Sequence, residues 1–163
     1  MPVNYEELTT GKYYEELEPG NVYKHSITRT VSEADNLFFS ALTYNSAWLH
    51  TDEEYSKTTM WGTRIVNSMF TLALVCGVGV NDVTLGTTLG NLGFTEIKFP
   101  NPVFIGDTIH VETEVIGRRE SKSRPDTGIV EFETRGYNQR DEVVVTLRRT
   151  GLMLKRSSRS DAS

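Results

Sequence analysis

The chain has 163 residues, 37% hydrophobic and 24% charged, and its 17 Lys and Arg against 22 Asp and Glu leave a net charge of −5. That length fits one compact domain, and a chain of this size buries on the order of 70% of its unfolded surface, enough for a core without staples. The acidic balance excludes a nucleic-acid backbone binder, and one cysteine, Cys76, with three histidines excludes a disulfide framework and leaves no zinc cage, so no metal is expected.

Residues 1–20, rich in Tyr, Glu and Gly, read as an irregular lead-in. Glu6, Glu7 and Lys12 stand where an export signal needs an apolar stretch, which sets the expectation of a cytoplasmic protein. From 21 to 31, Val22, Ile27, Thr28, Thr30 and Val31 predict a strand. Ser32 is placed to cap a helix, with Glu33 and Asp35 in the first turn, where the helix dipole favours anions. Leu37, Phe38, Ala41 and Leu42 follow at helical spacing, predicting a short amphipathic helix.

Residues 43–63 crowd Asn, Ser, Trp, His, Asp and Gly together, more than packing alone requires, with one helical turn expected at 52–57. Residues 65–80 are apolar almost throughout, which predicts a helix buried on all sides. Its longest apolar run, 72–80, is too short to cross a bilayer, so no membrane partner is expected. After Gly90 the pattern turns to period two. Strands are predicted at 92–99, 108–118, 128–137 and 142–154, separated by turn clusters such as Asn101-Pro102 and Gly106-Asp107. The sum is an α+β domain over 1–155 in which an antiparallel sheet wraps one long buried helix. The Ser- and Arg-rich residues 156–163 read as a disordered tail.

Chemistry concentrates in the polar stretch and at the start of the apolar helix. His50 is the candidate base, with Asn45 to fix a water or a ring nitrogen and Trp48 and Trp61 as apolar walls. The competing role for His50 is a surface ring paired with Asp52. Asn67 and Ser68 stand where a helix N-terminus offers free N–H groups to a developing oxyanion, although Asn or Ser there is also simply a good cap. Asp35, Glu53 and Glu54 fit helix-start roles. The basic run Arg118, Arg119, Lys122 and Arg124 reads as a solvated face or as a grip on a phosphorylated ligand.

Three stretches together resemble the MaoC-like hydratases, the (R)-specific enoyl-CoA hydratases of the hot-dog fold. They are Asn45-Ser-Ala-Trp-Leu-His50, Val66-Asn-Ser-Met69 and Phe99-Pro-Asn-Pro-Val-Phe-Ile-Gly-Asp107, spread over most of the chain. The resemblance implies a five-stranded sheet around the helix, edge-to-edge homodimers, and an acyl-CoA substrate with no cofactor beyond its coenzyme A. It assigns proton transfer to His50, water or substrate orientation to Asn45, and the enolate oxygen to the Ser68 N–H, with Trp48, Arg64, Asn67 and Arg124 as substrate contacts. Asn45 stands where the family has Asp, as in members resembling mesaconyl-CoA and itaconyl-CoA hydratases. In that branch Arg64 would meet a distal substrate carboxylate, or else pair with Asp52 or Glu53. A hot-dog thioesterase and a non-catalytic acyl-CoA-binding subunit are the alternatives.

Overall fold

A computed structural model describes residues 3–157. Ser32 caps the first helix, α1 (Glu33–Leu42), through a reciprocal box: its hydroxyl accepts from the Asp35 N–H at 3.2 Å and Asp35 accepts from the Ser32 N–H at 2.8 Å. The helix is where its spacing predicts, but its faces are exchanged. Asn36 and Ser40 point inward, while Phe38 and Leu42 are 69% and 81% exposed. The elements beneath α1 present backbone groups, and only polar side chains can satisfy those.

Two short helices follow, α2 (Trp48–Thr51) and α3 (Glu53–Lys57). The apolar helix, α4, runs Ser68–Val78. It begins later than expected because residues 65 and 66 are extended. Ile65 bridges to Phe104, and the Val66 N–H donates to the Val103 carbonyl at 2.8 Å. A π-type turn, Val80–Thr84, continues beyond Gly79. Helix α4 lays Leu72, Val75 and Val78 on the sheet, whereas Met69, Ala73 and Gly77 remain exposed. Burial on all sides is therefore corrected to burial on one face.

All strands pair antiparallel: β1 (Val22–Lys24), β2 (Arg29–Thr30), β3 (Thr88–Lys98), β4 (Thr108–Glu120), β5 (Thr127–Tyr137) and β6 (Val143–Leu154). The order is β1-β4-β5-β6-β3, with β2 also on β4, so the sheet has six strands rather than five. The predicted strand at 21–31 splits in two around His25. That ring turns inward, Nδ1 at 2.8 Å from Asp82 and Nε2 at 2.9 Å from the Thr113 hydroxyl. The sheet's outer face carries charge, where Arg135 meets Glu112 and Glu114 at 3.3 and 3.0 Å and also Glu133.

One apolar cluster joins α4 to the sheet through Val75, Ile109, Val144 and Leu147. Contact is close at Gly136 on β5, where an added Cβ would lie 2.5 Å from a Val75 methyl. A second cluster recruits the lead-in. Tyr14, in a short 3₁₀ turn (Tyr14–Glu16), and the fully buried Leu17 pack with Val115, Val130, Phe132 and Met153. The irregular lead-in thus forms part of the core. Of the expected tail, Arg156 pairs with Glu16 at 2.9 Å and lies 4.6 Å over the Tyr13 ring, while 158–163 fall outside the described residues. No helix among the described residues is long and apolar enough to cross a membrane.

Gly136→Ala should overpack the α4–sheet contact by about 1–3 kcal/mol, lowering Tm in calorimetry by roughly 3–10 °C. Acid should also destabilise the fold. Partial burial raises the pKa of Asp35, but the N–H and hydroxyl of Ser32, with Arg29, outweigh it and hold the carboxyl below its usual value. At Glu133 burial is likewise outweighed, by Arg148 and Arg135. A carboxyl with a depressed folded pKa stabilises the fold above its unfolded pKa, and loses that contribution as pH falls through the folded value. The urea midpoint should therefore be lower at about pH 3 than at about pH 7.

Candidate active site

His50 lies on the helical turn α2 rather than in an open loop, and its side chain is largely buried. Its Nδ1 is 3.0 Å from the Ile65 carbonyl oxygen. A carbonyl only accepts, so in the neutral ring Nδ1 carries the hydrogen and Nε2 keeps its lone pair. Asp52 does not pair with this ring, because its carboxylate caps α3 instead, accepting from the Tyr55 N–H at 3.0 Å.

Behind His50 lies a buried polar network. Asn36 donates to the His50 carbonyl at 2.9 Å and accepts from the Asn67 N–H, also at 2.9 Å. Asn67 donates to the Ser40 hydroxyl at 3.3 Å, and its Oδ1 takes the Met69 N–H at 3.0 Å, capping α4. The Ser40 carbonyl accepts from the Asn45 N–H at 2.9 Å. Sequence reading passed over Asn36 and Ser40. The signal was present, because polar residues four apart share one helix face.

Asn45 and Asn67 line one cavity of about 540 Å³, walled by Phe39, Met69, Leu72 and Phe94. The Asn45 Oδ1 accepts from the Ala47 N–H at 3.1 Å, which leaves its NH₂ group as a donor. Ser68 is the first residue of α4, and its N–H has no acceptor among the described residues. It faces a smaller cavity of about 160 Å³ with Trp61, Ile65 and Val103. The two cavities flank the N-terminus of α4. His50, held by Ile65, is tied to the segment that leads into that terminus.

The stretch 99–107 braces the same region. Asp107 accepts from the Phe104 N–H at 2.8 Å and from Gln139 at 2.7 Å, and Gly106 turns the chain at φ 95°. The turn thereby holds Val103 and Phe104 against Val66 and Ile65.

Three residues expected as substrate contacts stand outside these two cavities. Trp48 is 62% exposed, packs edge-on against Tyr55 at 5.4 Å, and lines a separate cavity with Asn45, Ser46 and Thr51. Arg64 lies between Glu33 at 2.9 Å and Glu53 at 3.0 Å, so two carboxylates already meet its charge and it ties α3 to α1. The hydrogen bonds of Arg64 and Thr63 hold the Glu53 carboxyl below its usual pKa. Arg124 is exposed in the β4–β5 turn. Ile65 and Val66 pair with residues just before β4, whereas Arg124 follows the far end of that 13-residue strand.

A family model described as MaoC like domain matches residues 15–138. The chain is 32% identical over 152 residues to a mesaconyl-CoA hydratase of Cereibacter sphaeroides, covering 93% of this chain and 44% of that one. It is 32% identical over 109 residues to an (R)-specific enoyl-CoA hydratase of Rhodospirillum rubrum, covering 64% of this chain and 70% of that one. A Mycobacterium tuberculosis protein described as a double hotdogfold superposes with a TM-score of 0.81 at 19% identity, over 90% of this chain and 45% of that one. The chain thus spans under half the length of the first and third of these.

Asn36→Ala would leave the His50 carbonyl and the Asn67 N–H buried and unpaired, at a cost of about 2–4 kcal/mol. Thermal unfolding should show Tm lower by roughly 5–15 °C, and Asn36→Asp should not rescue it, because a carboxylate cannot donate to the His50 carbonyl and would be buried as an unpaired charge.

Proposed function

The chain belongs to the MaoC-like domain family and has the hot-dog fold, and on that premise we propose that it hydrates an enoyl-CoA thioester, or dehydrates the corresponding 3-hydroxyacyl-CoA. The observation that carries this reading is the anchoring of the His50 Nδ1 to the Ile65 carbonyl, two residues before the Asn67 cap of α4, which leaves Nε2 with its lone pair as the candidate base. Nε2 takes a proton from water as the hydroxide oxygen bonds to the β-carbon. The electron pair of the double bond moves onto the thioester oxygen, and the Ser68 N–H with the positive end of the α4 dipole stabilises that charge. His50 then returns its proton to the α-carbon, so the product gains one water and the histidine is regenerated. The Ile65 carbonyl stabilises the transient imidazolium, and the Asn45 NH₂ orients the water.

The substrate in this reading is a short acyl-CoA, with C5 dicarboxylic or branched groups such as mesaconyl-CoA or itaconyl-CoA first in line. The mesaconyl-CoA hydratase relative and Asn45 in place of the family Asp support that choice. Coenzyme A enters as part of the substrate, and no other cofactor takes part. The working form is a homodimer in the cytoplasm. Supporting the dimer, β3 is an edge strand with Leu89, Leu92 and Phe94 exposed beside the uncovered face of α4.

Purified protein should consume mesaconyl-, itaconyl- or crotonyl-CoA with loss of the enoyl-thioester absorbance and no thiol release. His50→Ala should lower kcat by roughly 10²–10⁴. Equal rates in the variant would remove His50 from the mechanism, and thiol release would mark a thioesterase instead.

A further inference from the structure

Most described arginines meet a carboxylate, and of those that do not, Arg119 and Arg124 are exposed to water. Arg149 is different. It lies on β6 between the buried Leu147 and Gly151, on the inward face of the sheet, and no carboxylate or carbonyl accepts from it among the described residues. The guanidinium carbon sits 4.8 Å from the centroid of the fully buried Phe132 ring. Stacking occupies the flat face of the group and leaves its in-plane N–H fork free. Burial pulls its pKa below the usual guanidinium value, as desolvation of an unmatched cation requires.

Arg149 also has space in front of it. It lines a cavity of about 330 Å³ with Cys76, Gly77, Val80 and Asn91. That cavity shares Ala73, Cys76 and Phe94 with the one that holds Asn45 and Asn67, so the two form a continuous groove along the open face of α4. Its middle is apolar, lined by Met69, Leu72, Ala73 and Phe94, while Asn45 and Asn67 stand at one end and Asn91, Thr84, Thr88 and Arg149 at the other. From Asn67 to Cys76 the helix rises about 13 Å, which an extended acyl chain of eight carbons, about 9 Å from end to end, spans together with the hydrogen bond at its carboxylate.

We propose that Arg149 is a terminal-carboxylate site, and that the groove takes a medium-chain enoyl-CoA ending in a second carboxylate. The thioester would lie at the Asn45 and Asn67 end of the groove, beside the N-terminus of α4, with the distal carboxylate accepting two hydrogen bonds from the Arg149 fork. This rests on the hydratase reading of the site but replaces its short-chain substrate with a longer one, since a five-carbon diacid ends well short of Arg149.

The test compares octenedioyl-CoA with octenoyl-CoA, each with its double bond conjugated to the thioester, on wild type, Arg149→Met and Arg149→Lys. Wild type should favour the diacid in kcat/KM by about ten-fold or more. Arg149→Met should reverse that preference, and Arg149→Lys should keep part of it. Calorimetric Kd values for the saturated pair, suberyl-CoA and octanoyl-CoA, should follow the same order without turnover. Discrimination in binding with no turnover of any substrate would sink the hydratase reading and leave the carboxylate site standing. A wild-type preference for the monoacid, or a ratio unmoved by Arg149→Met, would overturn the site. So would a variant that changes only the mass of the assembly, because Arg149 would then pair with a second copy.

Discussion

The Asn36 side chain donates to the His50 carbonyl and accepts from the Asn67 N–H, so one buried amide fixes α2 and the start of α4 together. Both bonds lie out of water, where a satisfied amide orders its surroundings and a half-satisfied one is costly. The rest of the site inherits that geometry. His50 is held from behind through its carbonyl and from the side through Nδ1, while Asn67 is held through its N–H and caps the helix with its own side chain. Helix α1 must therefore turn Asn36 and Ser40 inward, and Phe38 and Leu42 face outward as a result.

This explains which parts of the sequence were legible. The Ser32 cap, the late strands and the Asn67 cap are local devices, each decided within a few residues, and the structure has them where the spacing predicts. The orientation of α1 was not legible. Periodicity shows which side chains share a face, not which neighbour that face meets, and here the neighbours are polar: backbone groups for Asn36 and the Asn67 amide for Ser40. Arg64 makes the pairing with Glu53 that the sequence offered, but its second partner, Glu33, sits far away in sequence on α1 and was not legible. The distance of Arg124 from the site follows from the full length of β4, which a loop's composition cannot report.

Helix α4 misled in a more instructive way. Its composition is apolar on every side, yet the chain covers only the face that meets the sheet. The uncovered side runs beside edge strand β3 and carries the linked cavities, so its hydrophobicity serves a groove as much as a core. Within that groove the polar groups gather at the ends, Thr43, Asn45 and Asn67 at one and Asn91, Thr84, Thr88 and Arg149 at the other. An apolar passage with charge at one end selects chains by length as well as by terminus.

The placement of Tyr14 and Leu17 bears on how the molecule is made. These residues leave the ribosome early, but the surfaces they pack on come from β4, β5 and β6, and the Tyr14 ring rests on Gly128. Arg156, near the end of the described chain, closes over the same segment through Glu15 and Glu16. Within this domain the earlier-made segment therefore waits, exposed, for a later one. The second cluster can assemble only after β6 has emerged, so this domain completes its fold after synthesis of the whole sheet, not alongside it.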